Sequence, residues 1–191
     1  MTYFRFIILL FFLIAFNNVN SFAKEFIGVI SAAIGNIENQ DSTKLISGSK
    51  IYFGDTIIVK EKSNAQVLLL DETVLTLGED SEVVIDEFIY DPESKDGKIV
   101  SNILSGTVKI ITGEISRKNP DNLEITMPTG TLGARGTEFV VVADSKDKST
   151  VVLLGPGPNN TLGMIPGNIE VSDGENTIGI VVPGHQSIIT N

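Results

Sequence analysis

The sequence predicts an all-β domain, and three observations carry that prediction. Apolar and polar residues alternate with period two in Leu123-Glu124-Ile125-Thr126-Met127 and in Thr107-Val108-Lys109-Ile110, the pattern of strands with one buried face. The strand signals are short and are separated by Gly, Pro, Asn, Asp and Ser. No segment after Phe16 shows a comparably clear helical period. Many short strands with this punctuation predict a sandwich, a jelly-roll-like barrel or a short β-solenoid.

Read in chain order, residues 1–23 are an expected export signal. Arg5 supplies the positive start, residues 6–16 are an unbroken apolar run, and Ser21-Phe22-Ala23 is a small-x-small cleavage site. A membrane anchor is the rival reading, but a spanning helix needs about 20 apolar residues and this run stops at Asn17-Asn18. The expectation is therefore one mature β domain, residues 24–191, with no transmembrane anchor after cleavage.

Val67-Leu68-Leu69-Leu70 and Val151-Val152-Leu153-Leu154 are apolar at successive positions and read as interior strands. Asp71-Glu72 joins two apolar runs and reads as a hairpin. Glu72 suits positive φ poorly, so a bulged or slightly longer turn is expected there. Residues 91–97 form a polar excursion read as a long hairpin loop, and residues 144–148 another turn. Gly-x-Val/Ile openings at Gly35, Gly106 and Gly167 have unequal spacing, which argues against a long solenoid. Residues 155–166, containing Gly155, Pro156, Asn159, Asn160 and Pro166, form a long Gly/Pro/Asn-rich connection and a candidate interaction loop, with a mobile insertion as the competing reading.

Composition excludes several functions. The chain has no Cys, and so no thiol nucleophile, cysteine metal cluster, disulfide or lipidated cysteine. A formal net charge of −10 repels phosphate backbones, which argues against nucleic acid as a partner. His185 is the only histidine, too little for a transition-metal site or a Ser-His-Asp triad without a Gly-x-Ser-x-Gly elbow. The acids Glu79, Asp80, Glu82, Asp86 and Glu87 lack calcium-loop spacing and read as solvent-side strand residues. No catalytic residue, metal ligand or cofactor is expected.

One segment is more specific. Ile125-Thr126-Met127-Pro128 ends a strand, Gly130 and Gly133 follow, and Arg135-Gly136-Thr137 precedes Phe139 and a further apolar strand. The glycines lack the Gly-Lys-Ser/Thr ending of a phosphate loop. Arg135 reads as a structural residue that pairs with a buried acid or backbone carbonyls to fix the turn. The alternative is a guanidinium that grips a carboxylate or phosphate ligand.

This segment resembles the signature of the FecR domain. So do, in order, Gly28-Val29, Gly35-Asn36-Ile37, Leu45 with Gly48 and Ile51, the Gly54-Asp55-Thr56-Ile57 block, the hairpin on either side of Asp71, and Gly106-Thr107-Val108. The resemblance runs over about residues 26–142. It implies a β domain whose motif residues Gly54, Asp55, Gly106, Pro128, Arg135, Gly136, Thr137 and Phe139 are structural. It also implies a protein-interaction or sensory module of the bacterial cell envelope, with an envelope or membrane protein as partner. Regulator forms of the family carry a cytoplasmic anti-sigma region, a transmembrane helix and a second small domain. Here the export signal is expected to lead directly into the β domain, so neither sigma-factor control nor iron signalling is carried over. The alternative function is a structural or carbohydrate-binding surface module, which the absence of Trp weakens. Periplasmic location is expected, with cell surface or secretion as alternatives.

Overall fold

The computed structural model describes residues 24–156 and 167–190. The expected signal at residues 1–23, and Asn159, Asn160 and Pro166 of the candidate loop, lie outside the described residues. The strands are β1 (Phe26–Ile34), β2 (Ile37–Asn39), β3 (Lys50–Tyr52), β4 (Thr56–Val59), β5 (Asn64–Leu69), β6 (Val74–Leu77), β7 (Glu82–Asp91), β8 (Asp96–Ile111), β9 (Leu123–Met127), β10 (Gly130–Arg135), β11 (Glu138–Ser145), β12 (Lys148–Gly155), β13 (Asn168–Ser172), β14 (Thr177–Ile180) and β15 (Gln186–Thr190). The fold is all-β, as the alternation predicts.

The long strand β8 organises the domain because it belongs to two sheets. Its first part pairs antiparallel with β7 and parallel with β9, in a sheet ordered β2-β4-β7-β8-β9-β10-β13-β14. Its second part pairs with β6 and β11, in a sheet ordered β3-β1-β5-β6-β8-β11-β12-β15. The changeover falls at Gly106, where φ is +85°. Ser81 locks the bend, since its hydroxyl donates to the Thr107 carbonyl and accepts from the Thr107 N–H, both at 3.1 Å. The inward residues of both sheets form one hydrophobic cluster in which Ile27, Ile85, Ile110 and Phe139 are fully buried.

The alternating segments are placed as expected. Leu123, Ile125 and Met127 are buried while Glu124 is exposed, and Val108 and Ile110 are buried beside exposed Thr107. Strands β5 and β12 are interior within their sheet, flanked by β1 and β6 and by β11 and β15. They are not buried on both faces, however, because the outer side of that sheet is uncovered and leaves Leu68 and Leu154 exposed.

Three local features differ from or sharpen the sequence reading. A single helical turn, α1 (Glu114–Lys118), follows β8, and a 3-10 turn (Pro120–Asn122) leads into β9. Five residues are too few to register as a helical period. The excursion at 91–97 is a tight hairpin rather than a long loop, since β7 and β8 pair out to Asp91 and Asp96. The Asp91 carboxylate fastens it, accepting from Glu93 N at 2.9 Å and Ser94 Oγ at 2.7 Å. These bonds stabilise the ionised form and hold the Asp91 carboxyl below its ordinary range. At the β5–β6 hairpin the longer turn is realised. Leu69 N–H donates to the Thr73 carbonyl at 2.9 Å across a three-residue loop, but Glu72 takes the left-handed conformation the sequence reading expected it to avoid, with φ +69°.

Candidate interaction surface

Strand β10 ends at Arg135, and the chain then reverses through Gly136, whose φ of +52° is left-handed. Thr137 closes the turn and is buried. Its N–H donates to Thr112 Oγ1 at 2.9 Å, its hydroxyl donates to the Gly155 carbonyl at 2.7 Å, and its own carbonyl accepts from Thr112 N at 3.1 Å. Gly167 fits against this hydroxyl with no room for a side chain, and its N–H donates to the Pro156 carbonyl at 2.8 Å. Both described ends of the 155–166 connection are thus tied to the Arg-Gly-Thr turn. Phe139, two residues on, is fully buried in the core.

Arg135 corrects the sequence reading. Its side chain is exposed, and among the described residues no hydrogen bond or ion pair holds the guanidinium. Thr137 and Thr112 fasten the turn instead. Arg135→Ala should therefore change stability by no more than about 0.5 kcal/mol. Equilibrium urea unfolding checks this, and a loss several times larger would restore Arg135 as a structural residue.

Arg135 lies instead at one end of a shallow groove of about 410 Å³, bounded by the 3-10 turn, β9, β10 and β13. The register explains its shape. Gly133 stands opposite both Glu124 on β9 and Glu170 on β13, so the outer face of the sheet lacks a side chain between two carboxylates. Asp121 adds a third acid to the lining, and Asn168, opposite Arg135, presents a buried carboxamide oxygen without a partner among the described residues. Such a groove offers one cation and several anions to polar side chains of a binding partner. The described residues that line it do not bring a nucleophile, a base and an orienting group together.

The other motif residues hold turns. Gly54 has φ +74°, and Asp55, nearly buried, accepts from Tyr52 N at 3.0 Å and from Lys24 Nζ at 2.7 Å. Pro128 opens the β9–β10 turn, in which Gly130 packs so closely against the Ser172 carbonyl that a side chain has no space. His185 is an exposed turn residue whose N–H donates to the Val182 carbonyl at 3.1 Å. Asp86 and Glu87 sit where the β7–β8 ladder is irregular, beside Phe53, which is 45% exposed in a second shallow groove of about 460 Å³.

Sequence reasoning missed Asp71. Its side chain is fully buried, and the carboxylate accepts from Thr73 N at 3.1 Å, Thr73 Oγ1 at 2.8 Å and the Ile115 N–H. The Asp71 carbonyl takes Glu114 N at 2.7 Å, and Thr73 Oγ1 takes Gly113 N at 3.0 Å. The β5–β6 hairpin thereby caps the N-terminus of α1, whose own first residues supply no side-chain cap. The helix in turn docks on β10 through a hydrogen bond from Ser116 Oγ to the Ala134 carbonyl. The turn itself was read from Asp71-Glu72, and Asp71 followed two residues later by Thr73 is the one signal that could have marked its carboxylate as a side-chain cap.

Comparison with known proteins adds to this geometry. A family model described as FecR protein matches residues 55–155, from the Asp55 turn to the end of β12. The match starts later than the resemblance read from Phe26 and runs further, to Gly155. Among solved structures, the chain is similar to a protein assigned as an anti-sigma factor from Parabacteroides distasonis ATCC 8503. The TM-score is 0.54 at 20% identity, over 71% of this chain and 55% of that one. The present chain thus spans about half the length of that neighbour, and the likeness is one of fold. No curated protein matches the chain.

Proposed function

The chain belongs to the FecR protein family, and from that premise we propose that it is a non-enzymatic interaction module of the bacterial cell envelope, acting in signalling through a protein partner. The single observation that carries this reading is the family match over β4 to β12. Its supporting geometry is an outer surface with a mixed-charge groove and an Arg135 guanidinium unpaired among the described residues, on a frame whose other motif residues hold turns or, for Phe139, the core. We read residues 1–23 as an export signal, from Arg5, the apolar run 6–16 and Ser21-Phe22-Ala23, and on that reading the module is periplasmic. Among the described residues no helix is long and apolar enough to cross a membrane.

Crosslinking in intact cells tests both halves of the proposal at once. Mass spectrometry of the crosslinked species from the envelope fraction should show an N-terminus at Lys24 and one specific envelope protein attached. An uncleaved chain in the inner membrane would overturn the export reading. One observation favours a second function, the exposed Phe53 ring beside Glu25, Asp86 and Glu87 in a groove suited to a sugar face. Saturable binding of peptidoglycan fragments by the purified domain, with no captured protein, would put that function in place of the first.

A further inference from the structure

The four strands that end the two sheets are not alike. Strand β2 carries Glu38, whose carboxylate pairs with Lys60 at 2.6 Å, and β3 carries Lys50, set over the Phe26 ring. Charges of this kind blunt an edge against further pairing. Strands β14 and β15 carry no charged residue, although one residue in five of the chain is charged.

Those two edges differ in turn. On β15 the inward residue Ile189 is only 7% exposed, so the core is closed behind it. On β14 the register sets Ile178 opposite Val171 and Ile180 opposite Ile169, which places Ile178 on the core side of the sheet. Val171, Ile169 and Ile180 are buried, but Ile178 is 57% exposed. An inward-facing isoleucine left half in water marks a sandwich unfinished by one strand. Val181 and Val182, which leave β14, are exposed beside it.

Among the described residues, β13 is the strand that pairs with β14, so the backbone groups on the other side of β14 have no strand partner. The hairpin ladder begins with Asp173 N–H donating to the Asn176 carbonyl at 3.2 Å. By antiparallel alternation Ile178 and Ile180 bond to β13, while Thr177 and Gly179 direct their N–H and C=O groups away from the sheet. An ideal Cβ on Gly179 meets nothing within 4 Å.

We propose that β14 is an acceptor edge, which an extended, charge-poor segment of a partner protein with alternating apolar residues completes by strand addition. The proposal rests on the interaction-module reading and assigns it a surface and a partner chemistry. A second copy is the poorer occupant for two reasons. A stable dimer buries about 800 Å² per partner, more than a four-residue edge supplies by pairing with itself. Two molecules of net charge −10 also repel. A flexible segment of a partner can bond along Thr177–Ile180, cover Ile178 and continue over Val181 and Val182.

The test uses the mature chain, residues 24–191, and a labelled probe peptide of alternating Val and Thr with a Lys at each end. Fluorescence anisotropy should show saturable binding, and the same peptide methylated at alternate backbone nitrogens should not bind. Gly179→Pro removes a free edge donor while sparing the bonds to β13, and Ile178→Lys places a charge on the inward edge. Each should weaken binding at least tenfold, with an unchanged urea midpoint showing that the fold is intact. Equal binding by both variants, or no binding by the parent chain, overturns the proposal. A dimer seen by sedimentation and lost in Gly179→Pro replaces the partner segment with a second copy. If Gly179→Pro still captures its envelope partner in cells, the edge is wrong and the interaction module stands.

Discussion

Replacing Asp71 with Ala should cost on the order of 3 kcal/mol of stability, because it strips acceptors from buried donors rather than merely removing a contact. The Thr73 and Ile115 N–H groups would each lose the carboxylate, and the Thr73 hydroxyl its acceptor, in a site without water access. The N-terminus of α1 would come away from the hairpin that caps it, and with it the seat of Ser116 on β10. Asp71 also gives the protein a pH signature. Burial is the dominant influence and raises its carboxyl above the ordinary value of 3.8, against the opposing hydrogen bonds from Thr73 and Ile115.

The sign follows from linkage. Between 3.8 and the higher folded value, the unfolded chain has released this proton while the folded chain still holds it. Asp71 therefore subtracts from stability as pH rises through that window, and contributes no such penalty below it. Asp91, Glu114 and Asp173 have lowered values and work in the opposite direction, their stabilisation being lost as pH falls. The useful measurement is accordingly the difference in urea stability between the parent and Asp71→Asn across acidic pH. That difference should shift in favour of the variant as pH rises. A flat difference would show that the carboxyl titrates as it does in the unfolded chain.

The same network shows what the sequence made legible. Alternation sees one residue at a time against a face, so it identified β9 and the second half of β8 and placed their inward residues correctly. Partnership across the fold leaves no such trace. Arg135 stood out by its type and by the glycines around it, yet the turn is held by Thr137 and Thr112, two residues of unremarkable type whose meeting depends on the tertiary structure. Likewise the consecutive apolar residues of β5 and β12 imply burial on both faces. Their outer residues Leu68 and Leu154 are instead exposed, since sequence alone does not reveal that none of the described elements covers that face. Gly106 was visible as a Gly-x-Val opening. Why it must be glycine depends on β8 entering two sheets.

That requirement gives the second large effect. Gly106→Ala should cost on the order of 3 kcal/mol, the sum of two separable terms. One is conformational, since φ of +85° is a backbone state that side chains disfavour by about 1–2 kcal/mol. The other is steric, since an added Cβ would lie 2.5 Å from the Cα of buried Ser81 and press on its hydroxyl. Backbone atoms cannot swing aside as a flexible side chain can, so either β8 or the segment before β7 must shift, at a cost typical of overpacking. Moving Ser81 would also strain its two bonds to Thr107, which hold the strand as it passes between sheets. Gly48 separates the terms, because it has φ of +89° but open space around its Cβ position. Gly48→Ala should lose the conformational term alone. Equilibrium urea unfolding of the two variants should therefore place Gly106→Ala at least 1 kcal/mol below Gly48→Ala. Equal losses would mean that β8 bends freely at Gly106, and that Ser81 follows the bend instead of fixing it.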